Sequence, residues 1–462
     1  MSDLDWIERF DAEVRPHLEG PVHRPGEEGF DAERAVFNVA ADHRPALVVG
    51  VTGSADIAAV VRFAGTHGIP LAVLATGHTA SVPADGGILI NTSRMQELHI
   101  DQEQRTSRVE AGVRWGCVIN AAAQYGLAPL NGSSPTVGVV GYTLGGGAGP
   151  LGRAFGFAAD RVRELEVVTA DGSIRRVTPD DDPELYWGLL GGKSNFGVVT
   201  SLEFELVEVS RLYGGGIFFP GAHAADVLHA YRQWVADIPD EMSSSVGLLR
   251  IPPDPAMPEP LRGQFVVHLR VAYLGSAEEG ARLLTPLRAS APPIFDMVME
   301  MPYTQVHTIH QDPTDPLYLL DRGTYLRELD EAAVDAMVEL AGPASNSPLL
   351  LLELRHLGGA LTRRLGPPNA VGNREWPFVL SGVGVGTPAG TAAIEENLEL
   401  LLKRMAPWSP GRSFLNFLGH LDIGPDSVRG AYDEGDYERL VALKTIHDPK
   451  NIFRVNHNIP PK

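Results

Sequence analysis

The chain has 462 residues, 44% of them hydrophobic and 21% charged, the composition of a folded protein with sizeable cores and two or three domains. Lys and Arg number 38 against 58 Asp and Glu, and the resulting net charge of −20 repels phosphate backbones and anionic bilayers, so neither nucleic acid nor a membrane is expected as a partner. Cys117 is the single cysteine, which excludes an intrachain disulfide framework and a cysteine-based zinc site.

The opening "MSDLDWIERFDAEV" is acidic and amphipathic, without the basic and apolar regions of a secretory leader. The most apolar short run, "PLLLLEL", is far below membrane-spanning length, and a cytoplasmic enzyme is the expectation. Residues 46–52 (ALVVGVT) read as a strand. A helix follows with Ser54 as candidate N-cap, Ile57, Val60, Val61 and Ala64 on one face, and Gly68 as its stop. Strand 71–74 then runs into "ATGHTAS", a turn that carries His78. Turns need Gly, Asn or Pro for backbone reasons but never need an imidazole, so His78 is either a surface histidine or a group with a task. Strand 87–91 comes next, and a further strand leads into a helix from about Arg114 to Tyr125. Cys117, early in that helix and beside apolar residues, is expected as a buried, inert thiol.

From Leu130 to Leu151 the chain is dense in glycine, with little charge and no helical period, as suits backbone passing close to something else. Gly147 to Gly152 satisfies G-x-G-x-x-G. A nicotinamide-type site needs a strand before the glycines and a helix opening at them; here more glycine precedes, and Pro150 interrupts the turn. "RELEVVTADGSIRRVT" is a hairpin turning on Asp171-Gly172, and a short helix, a second glycine-rich turn and a long alternating strand follow. After Ser210 the texture shifts to longer elements broken by proline-rich loops, and the last helix ends at Asp448-Pro449. In "LLLELRHLGGAL", read as a strand, Glu353 and Arg355 share one face, with His356 alternating. Either Glu353 is a partly buried base with a raised pKa, or it pairs structurally with Arg355. Tyr303, His307 and His310 complete no metal site, and no metal is expected.

Six stretches, in order, resemble one family: "LATGHTAS" (74–81), "SSPTVGVVGYTLGGGAG" (133–149), "FAADRV" (157–162), "GGKSNFGVVT" (191–200), "FLNF" (414–417) and the tail from "YDEGDYERL" to "NIPP". The chain is similar over nearly its whole length to the berberine bridge enzyme-like oxidases, within the vanillyl-alcohol oxidase and p-cresol methylhydroxylase (PCMH) group of flavoproteins. The resemblance implies an α+β, two-lobed FAD-binding PCMH-type fold. Residues 1–210 would form the FAD-binding domain, with its core at about 40–210. Residues 211–410 would be a separate α+β substrate domain whose sheet is covered by helices on one face, and 411–462 would return to the FAD domain.

By the same resemblance, Ala75, Thr76, Gly77, His78, Thr79 and Ala80 wrap the FAD diphosphate with backbone N–H groups. His78 is expected to bond the flavin 8α-methyl, since a neutral imidazole is a competent nucleophile near pH 7. Ser134, Pro135, Thr136, Val137, Gly138, Gly141, Tyr142, Gly147, Gly197, Val199, Asn416, Asn456 and Asn458 fall at further cofactor positions. Three departures modify the picture. Ser134 stands where many members carry a second, cysteinyl attachment, so one covalent bond is expected. Phe414 stands where a tyrosine base is usual, leaving Tyr142 and Glu353 as catalytic candidates. Lys193 and Ser194 replace glycines, so Lys193 is either near the cofactor or at a solvated loop tip. Val137 is either plain packing or the small residue that leaves O2 a path to the flavin. The implied function is two-electron oxidation of a small or natural-product-like molecule, with O2 as acceptor and H2O2 as product, by a monomer or homodimer. The alternatives are a redox-neutral cyclisation or rearrangement in secondary metabolism, and a flavin-loaded binding protein without turnover.

Overall fold

The computed structural model describes residues 3–78 and 82–462. Near the start, strands Val22–His23, Leu47–Gly50, Ile88–Asn91 and Leu71–Leu74 lie side by side in that order, the last three parallel. Leu47–Gly50 and Ile88–Asn91 are buried along their whole length, as parallel strands covered on both faces require. Helix Ser54–His67 connects two of them and buries Ile57, Val60, Val61 and Ala64. Its N-cap is Gly53, not Ser54, and no side chain caps it. Asp56 does the fastening instead, accepting from Glu19 N at 3.0 Å, Gly20 N at 3.2 Å and Thr52 N at 3.0 Å. Gly68 closes the helix at φ +71°, a left-handed cap that favours glycine.

A second, antiparallel sheet takes Leu98–Asp101, Thr106–Glu110, Val198–Glu205, Val162–Val168 and Ile174–Val177 in that order. Helix Trp115–Ala123 packs beside it and buries Trp115, Val118, Ile119 and Ala122. Those residues occupy one face at helical spacing, which turns Cys117 outward. The thiol is exposed, so the expected buried cysteine is corrected.

The third sheet is antiparallel throughout and has eight strands. At its centre Phe265–Tyr273 pairs with Met242–Arg250, then Leu351–His356, then Phe378–Val385. Alternation sorts each strand into two faces. Val246, Leu269, Leu354 and Leu380 join a core with helices Ala224–Trp234, Glu331–Ala341 and Thr391–Met405. The other face carries Ser245, His268, Arg270, Glu353 and Arg355, and in register Ser245 stands opposite both Arg270 and Arg355. Ser245, Arg270 and Arg355 of this face line one cavity with Ala148, Gly149 and Pro150 of the glycine-rich segment. Among the described residues no helix is long and apolar enough to cross a membrane.

Two buried nodes join distant parts of the chain. Asp160 accepts from Arg374 Nη1 at 2.9 Å and Nη2 at 2.7 Å, from Asn369 Nδ2 at 2.8 Å and from Phe157 N at 3.2 Å. The Arg374 guanidinium lies over the Phe157 ring, 4.7 Å from its centroid. At the tail, fully buried Lys444 donates to Asn195 O at 2.7 Å and Phe453 O at 2.9 Å and pairs with Asp448 at 2.7 Å. Removing one member of such a pair leaves an uncompensated charge in low dielectric. Asp160→Asn is therefore expected to cost about 3–5 kcal/mol of stability in equilibrium urea unfolding. A loss below about 1 kcal/mol, the range of an exposed pair, would show that Arg374 reaches water.

Candidate active site

The turn after strand Leu71–Leu74 is shaped by the segment before it. Phe37 N donates to Thr76 O at 3.3 Å and Asn38 N to Gly77 O at 3.2 Å. Gly77 adopts φ +66°, and a Cβ there would sit 2.5 Å from Val36 Cβ, so glycine is required. The His78 ring stacks on Phe37 at 3.9 Å between centroids, and its Nε2 lies 2.8 Å from Thr136 Oγ1. Thr136 Oγ1 is in turn 2.9 Å from Ser134 Oγ. Burial, with Arg114 adding to it, lowers the His78 imidazole to about 4, so the ring is neutral near pH 7. Gly138 follows in close contact, its Cβ position 3.5 Å from Thr76 Cγ2. Pro135 O is taken by Gly116 N at 2.8 Å. The fold thus brings Ala75, Thr76, Gly77 and His78 against Ser134–Gly138. Thr79 and Ala80 lie outside the described residues.

Helix Val139–Leu144 and the glycines after it form the next wall. Gly141 is exposed, and a Cβ built on it meets nothing within 4 Å. Tyr142 explains two of its neighbours: a Cβ on Gly132 would come within 2.9 Å of its ring and one on Gly147 within 2.4 Å. Asn416 clamps the same segment, accepting from Gly147 N at 2.9 Å and donating to Tyr142 O at 3.0 Å. Its amide is spent on backbone, so Asn416 positions the glycine-rich chain. Tyr142 Oη is buried without a hydrogen-bond partner among the described residues, and burial raises its pKa well above 10. At neutral pH the Tyr142 hydroxyl is therefore protonated.

Phe414 is buried against Phe157, Tyr325 and Phe417, an apolar cluster in place of a phenol. Lys193 is half-buried at φ +52°, and burial lowers its ammonium to about 8 although Asp321 opposes the shift. It is not a solvated loop tip. Gly197, at φ +157°, passes so close to Val168 that a Cβ would lie 2.5 Å from its carbonyl oxygen, and Val199 is buried in the hydrophobic core beyond. The tail closes over this turn: Asn456 Nδ2 donates to Ser194 Oγ at 3.2 Å and Ile459 N to Asn195 Oδ1 at 2.9 Å. The buried Oδ1 atoms of Asn456 and Asn458 have no partner among the described residues. Val137 is half-buried and packs against the core beside this segment.

Across from Ala148, Gly149 and Phe414 stands the polar face of the third sheet, and the space between is a cavity reached by Arg270, His310 and Arg355. Glu353 lies within that wall. Its Oε1 accepts from Arg270 Nη1 and from Ser245 Oγ at 3.0 Å, and its Oε2 accepts from Arg355 Nε at 2.8 Å. Burial alone would raise this carboxyl, but Arg355 and Arg270 outweigh it and hold the group well below the usual carboxylate range. Of the two readings of Glu353, the structure has the structural pair with Arg355; the raised pKa of a base is corrected, because Arg355 and Arg270 outweigh burial. Among the described residues no group of side chains could hold a metal ion. Sequence reasoning missed Arg270, Ser245 and Phe37. The signal for Arg270 was present, since "FVVHLRVAY" alternates apolar residues with His268 and Arg270.

These features suit FAD. A Cβ on Gly141 would meet open space, buried acceptors on Asn456 and Asn458 have no partner among the described residues, and the neutral His78 imidazole is held against Thr136. Residues 45–178 match the family described as FAD binding domain, and residues 413–460 that described as berberine and berberine like. (R)-6-Hydroxynicotine oxidase of Paenarthrobacter nicotinovorans is 28% identical over 460 residues, covering 96% of this chain and 97% of that protein. An FAD-linked oxidoreductase of Dictyostelium discoideum is 25% identical over 452 residues, covering 96% and 95%. The same fold is seen in 6-hydroxy-D-nicotine oxidase from Arthrobacter nicotinovorans, with a TM-score of 0.83 and 24% identity over 96% of this chain and 98% of that one. BBE-like 1 of Physcomitrella patens gives 0.84 and 20% over 100% of both chains. With its FAD-binding domain, its berberine-like tail and relatives matched over nearly their whole length, the chain is an FAD-linked oxidoreductase similar to the berberine bridge enzyme-like proteins.

Proposed function

We propose that the protein is an FAD-dependent oxidase that takes two electrons from a CH–OH, CH–NH or activated C–H centre of a small molecule and passes them to O2, releasing H2O2. The cavity between the glycine-rich segment and the polar sheet face would receive the substrate. When bound, FAD supplies the hydride acceptor, and one covalent bond to His78 would hold it. The observation that carries this reading is the neutral His78 ring, seated between Phe37 and Thr136 on the turn of the FAD-binding domain. Thr136 orients the imidazole, whereas Ser134 offers only a hydroxyl, a poor nucleophile at neutral pH. Glu353 holds Arg270 and Arg355 in place. The relative named an oxidase over its whole length favours this chemistry over a redox-neutral rearrangement. With Glu353 ionised and committed to two arginines, the alternative also lacks an evident acid–base pair.

Acid-denatured wild-type protein is expected to stay yellow and to exceed the chain mass by one FAD. A tryptic peptide containing His78 should carry the flavin, and none containing Ser134 should. His78→Ala should bind FAD but release it on denaturation. Free release of flavin by wild-type protein in acid would defeat the attachment reading.

Incorporation of FAD into apoprotein should also be flat with pH above about 5.5 and fall towards pH 4. The imidazole stays neutral until it nears its lowered value of about 4, rather than the ordinary 6.5. A fall centred near 6.5 would place His78 in open water.

Val137→Leu should slow reoxidation by O2 and leave reduction by substrate nearly unchanged in stopped-flow traces. Equal slowing of both half-reactions would make Val137 a packing residue whose enlargement distorts the site.

A further inference from the structure

We propose that the substrate is a monocarboxylic acid, its carboxylate received by the Arg355 guanidinium. This rests on the reading of the cavity as the substrate site and names the chemical class that the site selects.

The charge of the sheet wall is the starting point. Two guanidinium groups, Arg270 and Arg355, stand against one carboxylate, Glu353, and both Glu353 oxygens are committed to them and to Ser245. Neither arginine meets a second carboxylate within ion-pair distance among the described residues. Asp312 acts on Arg355 and on His310 only from farther off. The remaining basic residues of the wall add no charge for a ligand. Burial, reinforced by Arg270 and Arg355, lowers His310 to about 4, and burial with Arg153 lowers His356 to about 3, so both rings are neutral. His268 is lowered as well, by burial first. Arg153 spends its guanidinium on the carbonyl oxygens of Met242, Leu357 and Pro239, with Asp240 at 3.7 Å. One positive charge is left over in a buried wall, an arrangement that is costly until an anion arrives.

The leftover charge has a direction. Arg355 engages Glu353 through Nε alone, and its two Nη groups have no hydrogen-bond partner among the described residues. The guanidinium plane is fixed by Phe417, whose ring centroid lies 5.0 Å from Arg355 Cζ. A guanidinium held in one plane with its Nη pair free matches the planar fork of a carboxylate, which it can bind through two parallel hydrogen bonds. Behind the Gly149 wall of the cavity, 3.1 Å from where a Cβ on that glycine would stand, the buried Tyr142 hydroxyl has no partner among the described residues and feels the Arg355 charge without meeting the ligand space. A cationic amine would meet like charge here, and a neutral amide would leave the charge unpaired.

The test uses the FAD-loaded protein and three isosteric probes, benzoate, benzamide and benzylamine, at neutral pH. Binding is read by the flavin difference spectrum and, independently, by the shift in melting temperature. Benzoate is expected to bind at least about tenfold more tightly than either other probe. Arg355→Gln should weaken benzoate about tenfold or more and leave benzamide unmoved, and Arg355→Lys should fall between. If Arg355→Gln fails to fold, the probe ladder on wild-type protein and the Arg355→Lys variant decide the matter. Equal affinity for benzoate and benzamide, or an Arg355 variant with unchanged benzoate affinity, overturns the proposal. Protein that carries flavin but ignores benzoate loses the acid substrate alone. Protein that takes up no flavin loses the proposed function, while the melting shift still reports on benzoate.

Discussion

The ion pair of Asp160 and Arg374 is the constraint on which the site depends. The cavity is a seam: one wall is backbone of the glycine-rich segment, the other the polar face of the third sheet, and neither encloses it alone. Arg374 sits on the arm that follows strand Leu351–His356, and Asp160 lies just beyond the glycine-rich segment, so their bond fixes one wall against the other. Two hydrophobic residues of matching volume could fill the same space, and buried pairs often contribute little net stability over such a replacement. What the pair adds is direction. A carboxylate with both oxygens in fixed hydrogen bonds tolerates one relative placement of the walls, whereas an apolar contact tolerates sliding.

The glycine-rich segment shows the same economy of placement. Its composition signals a close approach, and part of what approaches is the protein itself. Gly132 and Gly147 make room for the Tyr142 ring, and Gly145 makes room for Asn416, whose amide lies 2.6 Å from where a Cβ would stand. Asn416 then ties the segment to the tail of the chain. Lys444 does the corresponding work for the second glycine-rich turn, joining Asn195 O to Phe453 O through a buried ammonium. The C-terminal segment thus ties both glycine-rich stretches in place through Asn416 and Lys444.

Local pattern carried much of this in the sequence. Apolar runs bounded by turn residues marked Leu71–Leu74 and Ile88–Asn91, an Asp-Gly pair marked the hairpin, and period-two spacing put Glu353 and Arg355 on one face. The turn around His78 was legible through its residue types and its resemblance to a known family. What was not legible depends on neighbours distant along the chain. Cys117 looked apolar by its flanking residues, and only the choice of helix face turned it outward. Ser54 is a good capping residue, yet Asp56 secures the helix start because Glu19 and Gly20 come within its reach. The sign of the Glu353 shift was equally hidden. Burial and ion pairing push a carboxyl in opposite directions, and the winner was decided by Arg270, two strands away across the sheet.

An acidic chain with a basic cavity is consistent electrostatically once distance is considered. The surplus of acidic residues lies largely in water, where salt screens it over about 8 Å at physiological ionic strength. The charges of the sheet wall are buried, so they are screened far less and act on whatever enters. Neutral histidines sharpen this. His268, His310 and His356 provide shape and ring nitrogens without adding charge, because burial keeps each of them unprotonated at neutral pH. Net charge in the wall is thus set by a count of arginines against one glutamate, and that count does not change with pH across the physiological range. A selectivity built on permanently charged guanidinium groups is stable where one built on imidazoles would drift, and the exterior charge governs how ligands approach rather than which one stays.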